Sequence, residues 1–254
     1  MKFIRFLTLF GGVVILALAF GFIFRVPAAL AMWPWEDGRY SYLFIGSILA
    51  AVSVAAIWIG WSGEMGALPA GSLNILVISL TTSIYFFNLA AQGRTDMILF
   101  GVVSALMAGA SGAAFFWSRT LPLADSIPTP MFVRVSFGIF VVALFLAGGA
   151  LVVHQPIFPW ELNPDSSVVF GCIFLGDAFY FLYGLQRPHW HNALGQLLSF
   201  LAYDLVLIVP FILLFNTIEP SRYINLIIYI AVLVYSAAVA IYYLFLNPQT
   251  RFGS

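Results

Sequence analysis

Charge is what this chain has least of. Only 8% of its 254 residues are Asp, Glu, Lys or Arg, and 63% are hydrophobic. A soluble domain carries roughly a quarter charged residues, so an ordinary globular protein is excluded. The ten basic residues balance the ten acidic ones. That leaves no basic surface for nucleic acid and no polybasic segment of the kind that switches on anionic lipid. Lysine occurs once, at Lys2, which excludes a retinal-type Schiff base inside a helix bundle. The single cysteine, Cys172, excludes an intramolecular disulfide and paired-thiol redox chemistry. Histidine occurs at His154, His189 and His191, none of them midway along an apolar run, which argues against His-ligated transmembrane haem. There is no Gly-rich phosphate loop, zinc-protease helix or Ser nucleophile elbow. No cofactor is expected.

What the chain does have is apolar runs, each near the ~20 residues that cross a hydrocarbon core. They read as Phe6–Phe24, Tyr42–Trp61, Ala70–Leu89, Met97–Trp117, Phe132–Val153, Val168–Gly184, Ala193–Phe215 and Tyr223–Phe245. These eight spans use most of the chain, so activity must sit within the bundle or on short loops. The start, with Lys2, Arg5, an apolar run and Ala29-Leu30-Ala31, imitates a secretory signal. Its run exceeds the ~7–15 residues of a signal core, so a retained first helix is expected.

An internal repeat organises the spans. Shifting the chain by 125 residues places Pro34, Trp35, Glu36, Ser41, Gly46 and Ile48 on Pro159, Trp160, Glu161, Ser166, Gly171 and Ile173. Phe3-Ile4-Arg5 matches Phe132-Val133-Arg134 at a slightly different offset. Fixed-period self-similarity marks a repeated architecture, and an even number of spans per copy gives both copies one orientation. The expected fold is therefore all-α integral membrane, with eight transmembrane helices as two tandem parallel four-helix repeats at 1–125 and 126–254.

The repeated quartets, Trp33-Pro34-Trp35-Glu36 and Phe158-Pro159-Trp160-Glu161, fall between the first and second helix of each copy. Proline ends the preceding segment and tryptophan favours the headgroup level, so both quartets read as interfacial turns. Ser41 and Ser166 stand at expected N-cap positions. Lys2, Arg5, Arg119, Arg134, Arg187 and Arg251 share the face of the N-terminus, against Arg25, Arg39, Arg94 and Arg222 on the other. The excess places both termini in the cytoplasm of a cell (inner) membrane. Gly101, Ala105, Gly109 and Ala113, with Ala147-Gly148-Gly149-Ala150 and Ser236-Ala237-Ala238, allow close helix approach. Pro210 predicts a kink in the seventh span.

Two acids stand deep in predicted spans. Asp177 lies 13 residues before Trp190 and Asp204 lies 14 after it, so they share a depth about 15 Å from the helix ends. The matching positions in the first copy are Val52 and Ser79, so the scaffold does not itself require carboxylates there. A mid-membrane carboxylate costs several kcal/mol and turns toward a partner or water. Tyr180, Tyr183, Tyr203 and Ser199 are the nearest donors along the chain. The candidate proton or ligand residues are thus Asp177, Asp204, Tyr180 and Tyr203. The competing reading is two protonated acids holding neighbouring helices together. Asn74, Asn88 and Gln196 are ordinary helix polar groups. His189 and His191, in Arg187-Pro188-His189-Trp190-His191, are the weak metal candidates, with no third ligand placed to join them, so no metal site is expected.

The stretch FPWELNPDSSVVFGCIFLG resembles a pattern of uncharacterised bacterial multi-pass membrane proteins, aromatic-Pro-Trp-x-Leu-x-Pro followed by a helix with a small residue. Phe158, Pro159, Trp160, Leu162 and Pro164 fit it, whereas Asp37 and Arg39 stand where Leu and Pro would in the first copy. The resemblance implies a bacterial integral membrane protein and no activity. The expected function is non-enzymatic, as a membrane-complex subunit or a bundle binding lipid or an apolar ligand. Its expected partners are the lipid bilayer and either another membrane protein or a second copy. The alternative is a small proton-coupled transporter or permease using Asp177 and Asp204.

Overall fold

The computed structural model describes residues 1–124 and 127–252. Eight helices in it are long and apolar enough to cross a membrane. They are α1 (Lys2–Ile23), α2 (Arg39–Ser62), α3 (Leu68–Ala91), α4 (Met97–Ser118), α5 (Met131–Val152), α6 (Pro164–Gln186), α7 (Trp190–Leu214) and α8 (Tyr223–Ile241). The chain is an all-helical, multi-pass integral membrane protein, and its apolar outer surfaces contact lipid. Among the described residues the only extended pairing is an isolated bridge between Pro128 and His189. Each observed helix matches an apolar run read from the sequence to within about four residues at either end, and beyond α8 the run continues through a π-helical turn at Tyr242–Leu246.

The helices form two compact units. The first comprises Met1–Glu64, Pro156–Leu162 and Ala193–Ser254. Within it α1 lies along α2, brought close by glycine. A Cβ at Gly60 would stand 2.6 Å from the Leu9 backbone nitrogen, and one at Gly12 would stand 3.0 Å from the Ile57 nitrogen. The Arg5 Nε donates to the Gly60 carbonyl at 2.7 Å and its Nη2 to that of Trp61, covering carbonyls that the end of α2 leaves open. Gly63, at φ +82°, supplies the left-handed residue that terminates this helix.

The second unit comprises Met65–Gln155 and Asn163–Asn192. Here α3 packs on α4, α5 on α6, and α3 on α6. Ser83 Oγ donates to the Gly101 carbonyl at 2.9 Å, and Ser167 Oγ to that of Leu151 at 2.8 Å. A Cβ at Gly171 would sit 2.8 Å from the Gly148 carbonyl oxygen. Of the small-residue stripe in α4, Gly101 is buried against Phe87, whereas Ala105, Gly109 and Ala113 are exposed.

One local expectation changes. Ser41 and Ser166 are not caps, because α2 starts at Arg39 after Gly38 and α6 starts at Pro164 after Asn163. The Asn163 side chain accepts the Asp165 N–H at 2.9 Å, and Pro164 occupies the first helical position, where a missing N–H is harmless. Ser41 instead accepts the Trp160 Nε1–H at 3.0 Å. The quartets turn the chain between helices, and Trp35, Phe158, Pro159 and Trp160 are buried in protein there.

Candidate functional site

Asp204 is fully buried, at 0% exposure, in the middle of α7. The hydroxyl of Ser236 on α8 lies 2.7 Å from its Oδ2. That hydroxyl has one proton, yet it also lies 2.9 Å from the Val232 carbonyl and 3.1 Å from that of Leu233. The other carboxyl oxygen, Oδ1, has no hydrogen-bond partner among the described residues. The Ser236 hydroxyl thus donates to Asp204 across the α7–α8 contact while also lying within reach of the carbonyls of its own preceding turn, as helical serines commonly do. Tyr203, one residue earlier, directs its hydroxyl to that of Tyr229 on α8.

Asp177 lies on α6 in the second unit, and its partner comes from α3. Asn74 Nδ2 donates to Asp177 Oδ1 at 2.7 Å. Gly176 makes the approach possible, since a Cβ there would stand 2.8 Å from Asn74 Oδ1 and 2.9 Å from the Asn74 carbonyl. Tyr180, the donor nearest along the chain, is buried with its ring edge-on to Phe181 at 5.5 Å. The sequence placed Asn74 among ordinary polar groups. Its signal lay in three-dimensional pairing, which a single chain without covariation does not reveal.

This pair can be tested directly. Asn74→Leu or Asp177→Leu should each destabilise the protein by about 1–3 kcal/mol, because each leaves a buried partner unsatisfied. The double variant should recover about 1–2 kcal/mol of the summed loss. A double-mutant cycle on unfolding in detergent measures this, and additivity within ~0.5 kcal/mol would show that the two groups do not interact.

A third carboxylate, not singled out by the sequence reading, is the best connected. Asp165 accepts the Tyr85 hydroxyl at 2.6 Å and the Arg94 Nη1 at 2.5 Å. It joins α3 and the turn after it to the first turn of α6, where a negative charge also suits the helix dipole. The N-cap signature Asn163-Pro164-Asp165 was its available signal.

The histidine loop is held in place by backbone pairing. Thr129 N–H donates to the Pro188 carbonyl and Trp190 N–H to that of Ile127, each at 2.8 Å, so 187–190 pairs with the end of the loop before α5. No group of three or more His, Cys, Asp or Glu suited to a metal ion occurs among the described residues. No family model, curated protein or solved structure matches the chain.

Proposed function

We propose that this integral membrane protein acts without catalysis, through what it packs against, as a membrane-complex subunit or as a bundle that holds lipid or an apolar ligand. The observation that carries this reading is the use made of the two mid-span carboxyls. Each is engaged by a polar side chain of a neighbouring helix within its own unit, Asp177 by Asn74 and Asp204 by Ser236. Polar groups used this way hold helices together where lipid provides no hydrophobic drive.

A tandem repeat in one membrane orientation, with both termini cytoplasmic, belongs to the same reading. Helices α2 and α6 start at Arg39 and Pro164, an offset of 125. Arg25 and His154, offset by 129, both take positive φ, at 57° and 60°. The bonds around them correspond: Val26 N–H to Gly21 and Gln155 N–H to Ala150, at 2.8 and 2.9 Å. Gly46 meets the Ala19 carbonyl and Ile23, as Gly171 meets the Gly148 carbonyl and Val152. Two helix pairs thus share one ending and one close approach, which supports descent from one unit.

The second reading is a proton-coupled transporter, favoured by the unpartnered Oδ1 of Asp204. One experiment separates the two. Native mass spectrometry of the full chain extracted in mild detergent should find a stoichiometric partner chain or a retained apolar molecule. Proteoliposomes should show no pH-gradient dissipation that Asp204→Asn removes. A bare chain together with Asp204-dependent proton flux would replace the packing role with transport.

A further inference from the structure

Arginines far apart in sequence lie at one end of the second unit. Arg119 follows α4, Arg134 lies in the first turn of α5, and Arg187 follows α6. The pairing of 127–129 with 188–190 ties these chain ends together. The guanidiniums of Arg119 and Arg187 both lie within electrostatic reach of the Tyr183 hydroxyl. All three arginines are exposed, and none is in an ion pair among the described residues. The one acid in the connecting stretch, Asp125, lies outside the described residues. By contrast, Arg94, beyond the opposite end of α4, is matched by Asp165 at 2.5 Å.

Arg119 is also aimed. Its guanidinium stands 4.8 Å from the ring centre of Phe116, a residue exposed on the apolar surface. Stacking of this kind fixes the plane of the guanidinium and leaves its N–H groups free to donate at the edge. The end of a membrane-spanning helix lies near the level of lipid phosphates. Exposed Phe132 in the first turn of α5 places a second aromatic ring at the same level. Three exposed arginines with no ion pair among the described residues, beside a lipid-facing surface, are complementary to phosphate, which guanidinium groups bind through paired charge-assisted bonds.

We infer that this end of the second unit, through Arg119, Arg134 and Arg187, holds the headgroup of an anionic phospholipid. The inference deepens the lipid-holding form of the proposed function and rests on it only for the role of lipid as a partner. Linear sequence shows no polybasic segment; helix packing makes the patch.

The test uses the full chain, delipidated in detergent and titrated with phosphatidylglycerol or phosphatidylcholine of matched acyl chains, with bound lipid counted by native mass spectrometry. The wild type should retain phosphatidylglycerol preferentially. Arg119→Gln, Arg134→Gln and Arg187→Gln should each weaken that retention about fivefold while leaving phosphatidylcholine unchanged. Arg25→Gln with Arg39→Gln, which removes exposed charge elsewhere, should preserve the preference. Equal retention of the two lipids by the wild type would overturn the inference, as would a preference that survives the triple variant or disappears in the control. Such a failure leaves the co-purification readout for a partner chain or apolar molecule untouched, so the two ideas fail separately.

Discussion

Gly60→Ala should lower the stability of the protein by about 1–3 kcal/mol, and Gly60→Leu by at least the upper end of that range. The added Cβ would stand 2.6 Å from the Leu9 nitrogen and 2.7 Å from its Cα. Both are backbone atoms in the middle of a helical turn, so no side-chain rotation relieves the clash. Helix α1 must move away from α2, and that opens the dispersion contacts along the pair. Helix propensity works the other way, since alanine gains ~1 kcal/mol over glycine in a helix interior, so the measured loss is what remains after that gain. Gly109→Ala is the matched control, because nothing lies within 4 Å of its added Cβ. It should be neutral or slightly stabilising. Thermal unfolding in detergent would compare the two. A Gly60→Ala protein as stable as Gly109→Ala would mean that α1 does not approach α2 so closely.

That contrast marks where sequence reading reached and where it stopped. Apolar length alone placed all eight spans to within a few residues, because a bilayer permits so few backbone solutions. Proline and tryptophan located the turns. Small-residue spacing could not say which glycines touch a neighbour: Gly101 and Gly109 share one stripe, yet one is packed against Phe87 and the other is open. The same limit applied to the polar groups. Asp177 and Asp204 were visible because an acid in an apolar run is conspicuous. Their partners Asn74 and Ser236 were not, because Asn and Ser are common in helices and their pairing is set by tertiary register. The arginine patch was hidden for the same reason, its members being separated by whole helices. Ser41 was mistaken for a cap because its position relative to the apolar run was right, while the helix in fact begins earlier, at Arg39.

Trp160→Ala should cost about 3–5 kcal/mol, the loss typical of emptying a packed aromatic site. A tryptophan at the headgroup level would lose far less, since lipid and water refill its place. The structure puts Trp160 at 8% exposure, stacked on Phe158 at 4.5 Å and edge-on to Phe211 at 5.4 Å. Tyr40 lies 6.0 Å away and Tyr229 6.5 Å. Its indole N–H is used as well, donating to Ser41 at 3.0 Å. Removing the side chain therefore leaves both a cavity among rings and a buried hydroxyl with one contact fewer. Trp160→Phe separates the two effects: the smaller ring retains much of the stacking but cannot donate, so the loss should fall to about 1–2 kcal/mol. Because Tyr229 also meets the Tyr203 hydroxyl beside Asp204, the alanine variant should loosen α8 against α7 as well. Hydrogen exchange of the α8 backbone would then rise in Trp160→Ala and stay near wild type in Trp160→Phe. If Trp160→Ala unfolds at the wild-type temperature, the ring is an anchor at the membrane surface and the first unit is held together by other contacts.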